Sequence, residues 1–204
     1  MINLNKNQVI KITEESIKEL IKNFKKVNEN NDGFTNERDT QIYLYNLMDK
    51  KSDGKLTQLI KFKDDNNKEF YDFLIHVEYK IKNKIVDLIV HNPDTFDSNN
   101  SLLVLIEIKF DHYSRIKGDK HSFLKDAKAL NKIIKGDKKG YCLILNYGMK
   151  KSNTILKHKE YISDFLNHHD IDTEKISIDY FASFEDKTYE YYRIKKDEFI
   201  KKSI

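Results

Sequence analysis

The sequence holds a single cysteine, Cys142, in 204 residues. An internal disulfide is therefore impossible, and a reducing compartment is expected. No Cys-x-x-Cys pair, no Gly-rich phosphate loop and no nucleophile elbow occurs. A small-molecule enzyme is thus left without its usual signatures. No apolar run approaches the ~20 residues that a membrane helix needs. The polar start, Met1 to Gln8, lacks an apolar signal core. These absences predict a cytoplasmic protein with no membrane partner. There is no internal repeat, and the only proline, Pro93, falls in a loop.

What is present suits one domain, 1–204, with additions at both ends. The hydrophobic 39% of the chain is concentrated in a few runs, so a core can form. The net charge of +4 says little about partners, but its distribution says more. From Lys109 to Lys139 there are ten basic residues against four acidic ones, an excess of six. Such a stretch attracts phosphate backbones by counterion release. It also fits a solvated, lysine-rich helix face in a chain rich in Lys, Asn and Ile throughout.

Apolar period predicts a helix over 13–27, with Thr13 as N-cap, then a polar linker at Asn28–Gly33. A second helix is expected over about 36–48, where Ile42, Leu44, Tyr45, Leu47 and Met48 give a broad apolar side and Glu37 lies in the first turn. Residues 49–68 are mixed. Alternation predicts a strand over 73–81, with Phe73, Ile75, Val77, Tyr79 and Ile81 on one face. Strands follow at 85–91 and 102–110, and a helix at 121–134 leaves through Gly136 and Gly140. A buried strand at 141–147, a helix near 153–166, strands near 175–181 and 189–194 and a charged tail complete the chain. The fold class is α/β: a mixed sheet flanked by helices, its middle running helix, three-stranded meander, helix, strand.

Asp87 lies inside an otherwise apolar strand, Ile-Val-Asp-Leu-Ile-Val-His. A carboxylate there is costly unless it is paired or binds metal. Glu107 and Lys109 pose the same problem on the next strand. Two apart, they share a face and lie ~7 Å apart along it. A hairpin closed by loop 92–101 puts Asp87 opposite residue 106 or 107. Opposed side chains on one face are ~5 Å apart, so Asp87 and Glu107 can share a cation. Pro93–Asp94 is a tempting rival for Asp87, but Asp94 falls in the loop and does not face Glu107.

The chemistry accounts for the residue types. Phosphodiester hydrolysis needs an attacking hydroxide and neutralisation of charge on the phosphoryl group. Hard oxygen ligands hold Mg²⁺, which lowers the pKa of its waters. A lysine beside it can orient or help deprotonate the attacking water, or stabilise developing charge.

Asp87, nineteen residues, then Glu107-Ile108-Lys109 on strands resembles the PD-(D/E)XK nuclease signature. The element order over about 36–147 is similar to that superfamily's restriction-endonuclease-like core. The resemblance implies an Mg²⁺-dependent endonuclease, with Mn²⁺ able to substitute, acting on nucleic acid and first of all on DNA. Restriction, phage defence, mobile-element processing and repair are its expected settings. It further implies that Asp87 and Glu107 bind the metal, with the backbone carbonyl of Ile108 as a further ligand, and that Lys109 serves the nucleophile. Glu37 matches a glutamate that many members carry on the first core helix. A homodimer is a further expectation of the resemblance. Two departures stand: Val86 replaces the proline, and the helix after Lys109 lacks the Gln-x-x-x-Tyr pattern of the RecB-like branch.

Other residues weigh less. Arg115, Lys117, Lys120 and Lys125 are candidates to line a nucleic-acid groove, against the plainer role of keeping a helix soluble. Glu78 is left out, because the first hairpin is expected to set Tyr79 opposite Asp87. His112 suits an exposed position or a phosphate contact. His168, His169 and Asp170 suit a polar turn better than a metal site, and Tyr189, Tyr191 and Tyr192 suit packing. The rival to the nuclease is a non-catalytic nucleic-acid-binding or interaction module on the same fold. Segments 1–30 and 150–204 suit target recognition or a dimer contact.

Overall fold

The computed structural model describes residues 4–29, 36–63, 69–94, 101–112, 122–149, 154–195 and 198–203. Two helices open the chain, α1 (Lys6–Glu29) and α2 (Glu37–Lys51). A small antiparallel pair follows, β1 (Ile60–Lys63) and β2 (Glu69–Asp72). Then come β3 (Ile75–Ile81), β4 (Lys84–His91), β5 (Leu102–His112), α3 (Ser122–Ile133) and β6 (Lys139–Met149). The chain closes with α4 (Thr154–His168), β7 (Ile176–Phe184), β8 (Tyr189–Lys195) and β9 (Glu198–Lys202).

α1 starts seven residues before Thr13. Asn5 and Gln8 cap it reciprocally: Asn5 Oδ1 accepts from the Gln8 amide at 3.0 Å and Gln8 Oε1 from the Asn5 amide at 2.8 Å. This is the logic of a capping box. Thr13 is therefore no N-cap. It lies buried inside the helix and donates back to the Val9 carbonyl at 2.9 Å. α2 begins as its sequence suggests, with Asn36 Oδ1 accepting from the Asp39 amide. Its apolar side is narrower than expected, because Ile42 is exposed.

Strands β3 to β9 form one seven-stranded sheet in chain order. β3, β4 and β5 are antiparallel, β5, β6 and β7 parallel, and β7, β8 and β9 antiparallel. The architecture is α/β, a mixed sheet flanked by helices. The charged tail supplies the edge strand β9, which alternation alone did not reveal.

One apolar cluster joins α1 and α2 to Leu88, Val90, Val104, Ile106, Ile108, Leu143 and Phe181. The other joins α3 and α4 to Val86, Ile89, Leu105, Cys142, Ile144 and Ile178. Between α3 and β6, Gly136 turns the chain at φ 65°, a conformation that glycine adopts without strain.

One irregularity positions the site. Val86 packs in the α3–α4 cluster, whereas Leu88 packs in the α1–α2 cluster. Residues two apart on a regular strand share a face, so β4 turns over at Asp87. β3 turns over beside it: Ile75 is in the first cluster and Tyr79 packs against the second. The pairs Val77–Leu88 and Tyr79–Val86 bracket Glu78 and Asp87. Glu78, not Tyr79, thus sits opposite Asp87, and it has φ 51°, rare for a residue with a Cβ. Its carboxylate pairs with Arg38 at the start of α2.

Candidate active site

β4 and β5 pair through Leu88–Ile106, Ile89–Leu105 and Val90–Val104. One step further along this register puts Asp87 opposite Glu107, as the loop length suggested. At that step the ladder opens. The Ile108 amide donates to Asp87 Oδ2 at 2.6 Å, so a side chain takes a bond that a backbone carbonyl would otherwise take. Asp87 Oδ1 accepts from Gln41 Nε2 at 2.8 Å. Gln41 lies one helical turn after Glu37, on the same side of α2.

Glu107 is only 3% exposed. It pairs across the sheet with Cys142, which packs under α3. Lys84, the first residue of β4, brings its Nζ 2.9 Å from Glu107 Oε1 and 2.7 Å from Asp126 Oδ1 of α3. The contact with Asp126 is a hydrogen bond that Lys84 donates, and the contact with Glu107 is an ion-pair approach. Glu107 Oε1 and Asp126 Oδ2 are buried and make no hydrogen bond among the described residues. Lys109 Nζ lies 3.0 Å from Glu37 Oε1 and 3.6 Å from Asp126 Oδ2.

Four carboxylates and two ammonium groups therefore form one linked cluster: Glu37, Asp87, Glu107 and Asp126 with Lys84 and Lys109. Burial pushes the Glu107 carboxyl up to about 8; Lys84 pulls it down, and the charges of Asp126 and Asp87 add to the rise. Burial also raises Asp87, against the bond from the Ile108 amide. For Lys109 burial disfavours the charge, but Glu37 and Asp126 outweigh it and raise the pKa. The same balance raises Lys84 through Asp126 and Glu107.

The structure thus brings together Asp87, Glu107, Lys109 and Glu37. Ile108 contributes its amide to Asp87, and its side chain is buried in the α1–α2 core. Lys125 is exposed on α3, one residue before Asp126. Arg115, Lys117 and Lys120 lie outside the described residues. Asp94 accepts from the Lys6 amide at the start of α1, away from Glu107. His168 and His169 touch each other at the end of α4. Tyr191 and Tyr192 are buried, as their packing role required.

Sequence reasoning missed Gln41, Lys84 and Asp126. Asp126 had a signal: it is the acid among Lys125, Lys128 and Lys132, four residues before the inward Leu130. Gln41 had the helical spacing from Glu37. Lys84 had none, because it lies three positions before Asp87 and a regular strand would send them to opposite faces.

Among the described residues, no set of three or more His, Cys, Asp or Glu side chains stands arranged to hold a cation. Ammonium groups sit between the carboxylates instead. The chemistry of the donor set still fits a hard divalent ion, because Glu107 Oε1 and Asp126 Oδ2 are buried oxygens that make no hydrogen bond among the described residues, and both carboxylates interact with Asp87. No helix among the described residues is long and apolar enough to cross a membrane. No family model, no curated protein and no solved structure matches this chain.

Proposed function

We propose that this chain is a divalent-metal-dependent nuclease with a restriction-endonuclease-like core, similar to the PD-(D/E)XK superfamily, cutting nucleic acid and first of all DNA. The observation that carries the reading is Glu107: a buried carboxyl, opposite Asp87, whose Oε1 makes no hydrogen bond among the described residues and has the Lys84 ammonium 2.9 Å away. A buried carboxyl held by an ammonium rather than by fixed hydrogen-bond donors suits exchange for an external cation.

In this reading Asp87 and Glu107 hold the ion, and Asp126 stands by as a third carboxylate. A bound Mg²⁺ supplies Lewis acidity, lowering the pKa of water and neutralising charge on a phosphoryl group. Gln41 and the Ile108 amide fix the orientation of Asp87. Lys109 keeps its proton, because Glu37 and Asp126 favour the ammonium. It therefore orients the attacking water or stabilises phosphoryl charge rather than removing a proton. Glu37 holds Lys109 in place through the 3.0 Å bond.

The test is cleavage of supercoiled plasmid and of single-stranded oligonucleotides with Mg²⁺, Mn²⁺ or EDTA, beside folded Asp87→Ala and Lys109→Ala proteins. Metal-dependent cutting that both substitutions abolish is the expected result. Cutting that survives both refutes the site. Absence of cutting, joined to Asp87-independent metal binding, favours the non-catalytic module.

A further inference from the structure

Lys84 is the one member of the cluster that the nuclease reading leaves without a task. Its ammonium lies between two carboxylates from different elements, 2.9 Å from Glu107 on β5 and 2.7 Å from Asp126 on α3. Lys109 lies on the other side of Asp126. With every group ionised, four carboxylates and two ammoniums carry a formal charge of −2, which one divalent ion would cancel.

We propose that Lys84 is a tethered counter-cation: it occupies the cation position between Glu107 and Asp126 in the metal-free protein and swings out when a divalent ion enters. This rests on the metal-dependent reading above. Three features support it. First, Lys84 touches the same oxygen, Glu107 Oε1, that makes no hydrogen bond among the described residues, so lysine and ion compete for one lone-pair region. Second, Lys84 donates its one directed hydrogen bond among the described residues to Asp126 Oδ1 at 2.7 Å and meets Glu107 Oε1 only at ion-pair distance, so the Glu107 side is the side that an ion can take over. Third, Lys84 is the first residue of β4, directly after the short turn that pairs it with Ile81, and its side chain is 22% exposed. The head group of a four-carbon stem there can reach solvent without moving the strand. An arginine fork would bind both carboxylates more rigidly and exclude the ion.

Two consequences follow from the charge alone. The metal-free protein is spared the mutual repulsion of Glu107 and Asp126. Divalent ions bind less tightly than the carboxylates by themselves would allow, because each ion must displace an ammonium.

The experiment is Mn²⁺ titration of the full chain, read by electron paramagnetic resonance of free Mn²⁺, with thermal unfolding in parallel. Wild type is compared with Lys84→Met, with Lys84→Gln as a second variant should the first fold poorly, and with Asp87→Ala. Removing the ammonium makes the site one charge unit more negative. Mn²⁺ is expected to bind about tenfold more tightly to the Lys84 variants. Their metal-free melting temperature should fall, and Mn²⁺ should raise it by more than in wild type. Equal or weaker Mn²⁺ binding by the Lys84 variants, with wild-type binding still lost in Asp87→Ala, overturns the counter-cation while the metal site stands. Wild-type binding that Asp87→Ala does not reduce overturns the metal site and the counter-cation together.

Discussion

Glu107 and Asp179 are both acids inside strands of one sheet, each nearly inaccessible, and they are treated in opposite ways. Asp179 on β7 is closed on itself. Its Oδ1 accepts from the Tyr191 hydroxyl at 2.5 Å and from Arg193 Nε at 3.0 Å, and its Oδ2 from Arg193 Nη2 at 3.3 Å. Arg193 stands directly opposite in the β7–β8 register, so the guanidinium fork meets both carboxylate oxygens. Glu107 on β5 has a lysine at ion-pair distance from an oxygen that makes no hydrogen bond among the described residues. Asp179 faces the α1 side, beside Tyr141 and Glu14, and Glu107 faces the α3 side. A buried charge that its own neighbours satisfy stabilises a fold. One that they satisfy incompletely is available to something from outside.

The largest expected effects break this comparison at its open end. Asp87→Ala, Glu107→Ala and Lys109→Ala should each lower metal-dependent cleavage by about 10³-fold or more. Circular dichroism should show all three folded, and cleavage within tenfold of wild type in any of them would remove that residue from the site. At the closed end, Asp179→Ala leaves a half-buried guanidinium and the buried Tyr191 hydroxyl without their partner. It should destabilise the protein by about 2–4 kcal/mol in denaturant unfolding. An unchanged midpoint would show that Asp179 is not structural.

The pH dependence of stability sharpens the same contrast. Burial and then the charges of Asp126 and Asp87, against the pull of Lys84, push the folded Glu107 carboxyl up to about 8, from an ordinary 4.5 in the unfolded chain. Between these values the folded state holds a proton that the unfolded state has released. Stability should therefore fall as pH rises through that window and level off above about 8. Glu107→Gln keeps the shape without the titration. It should flatten the slope and be more stable at pH 8 by on the order of 2–4 kcal/mol. A Glu107→Gln protein with the wild-type slope would mean that another group carries it.

Smaller effects test the edges. Tyr191→Phe removes a bond to a buried carboxylate and should cost about 1–2 kcal/mol with cleavage unchanged. Lys125→Ala, on an exposed helix position, should alter stability by less than about 0.5 kcal/mol. If it lines a nucleic-acid groove, its loss lowers the salt dependence of binding by about one counterion. An unchanged salt slope would leave Lys125 a solubilising residue.

Much of the frame was legible in the chain. The acids on β4 and β5 stood out because each interrupts an apolar run, and the loop between the strands restricted their register to Asp87 opposite 106 or 107. Other features were hidden for local reasons. Apolar period starts α1 at Thr13 rather than at the Asn5–Gln8 pair, because the polar first residues carry little of it. β9 carries Lys and Glu on an edge, where alternation is weak. The apolar face expected for β3 is partly exposed at Phe73 and Val77 because β3 is an edge strand.

By itself the sequence determined the order of the elements and which strands carry charge inside them, because periods of 2 and 3.6 residues are local properties of the backbone. Only the tertiary structure decided which charges meet. The pairs Gln41–Asp87, Lys84–Asp126 and Glu37–Lys109 join residues 46, 42 and 72 positions apart. They form because α2 and α3 pack against the sheet where β4 turns over at Asp87. That turn abolishes the alternation from which a sequence reader infers direction, so Lys84 and Asp87, an odd number of residues apart, reach one cluster.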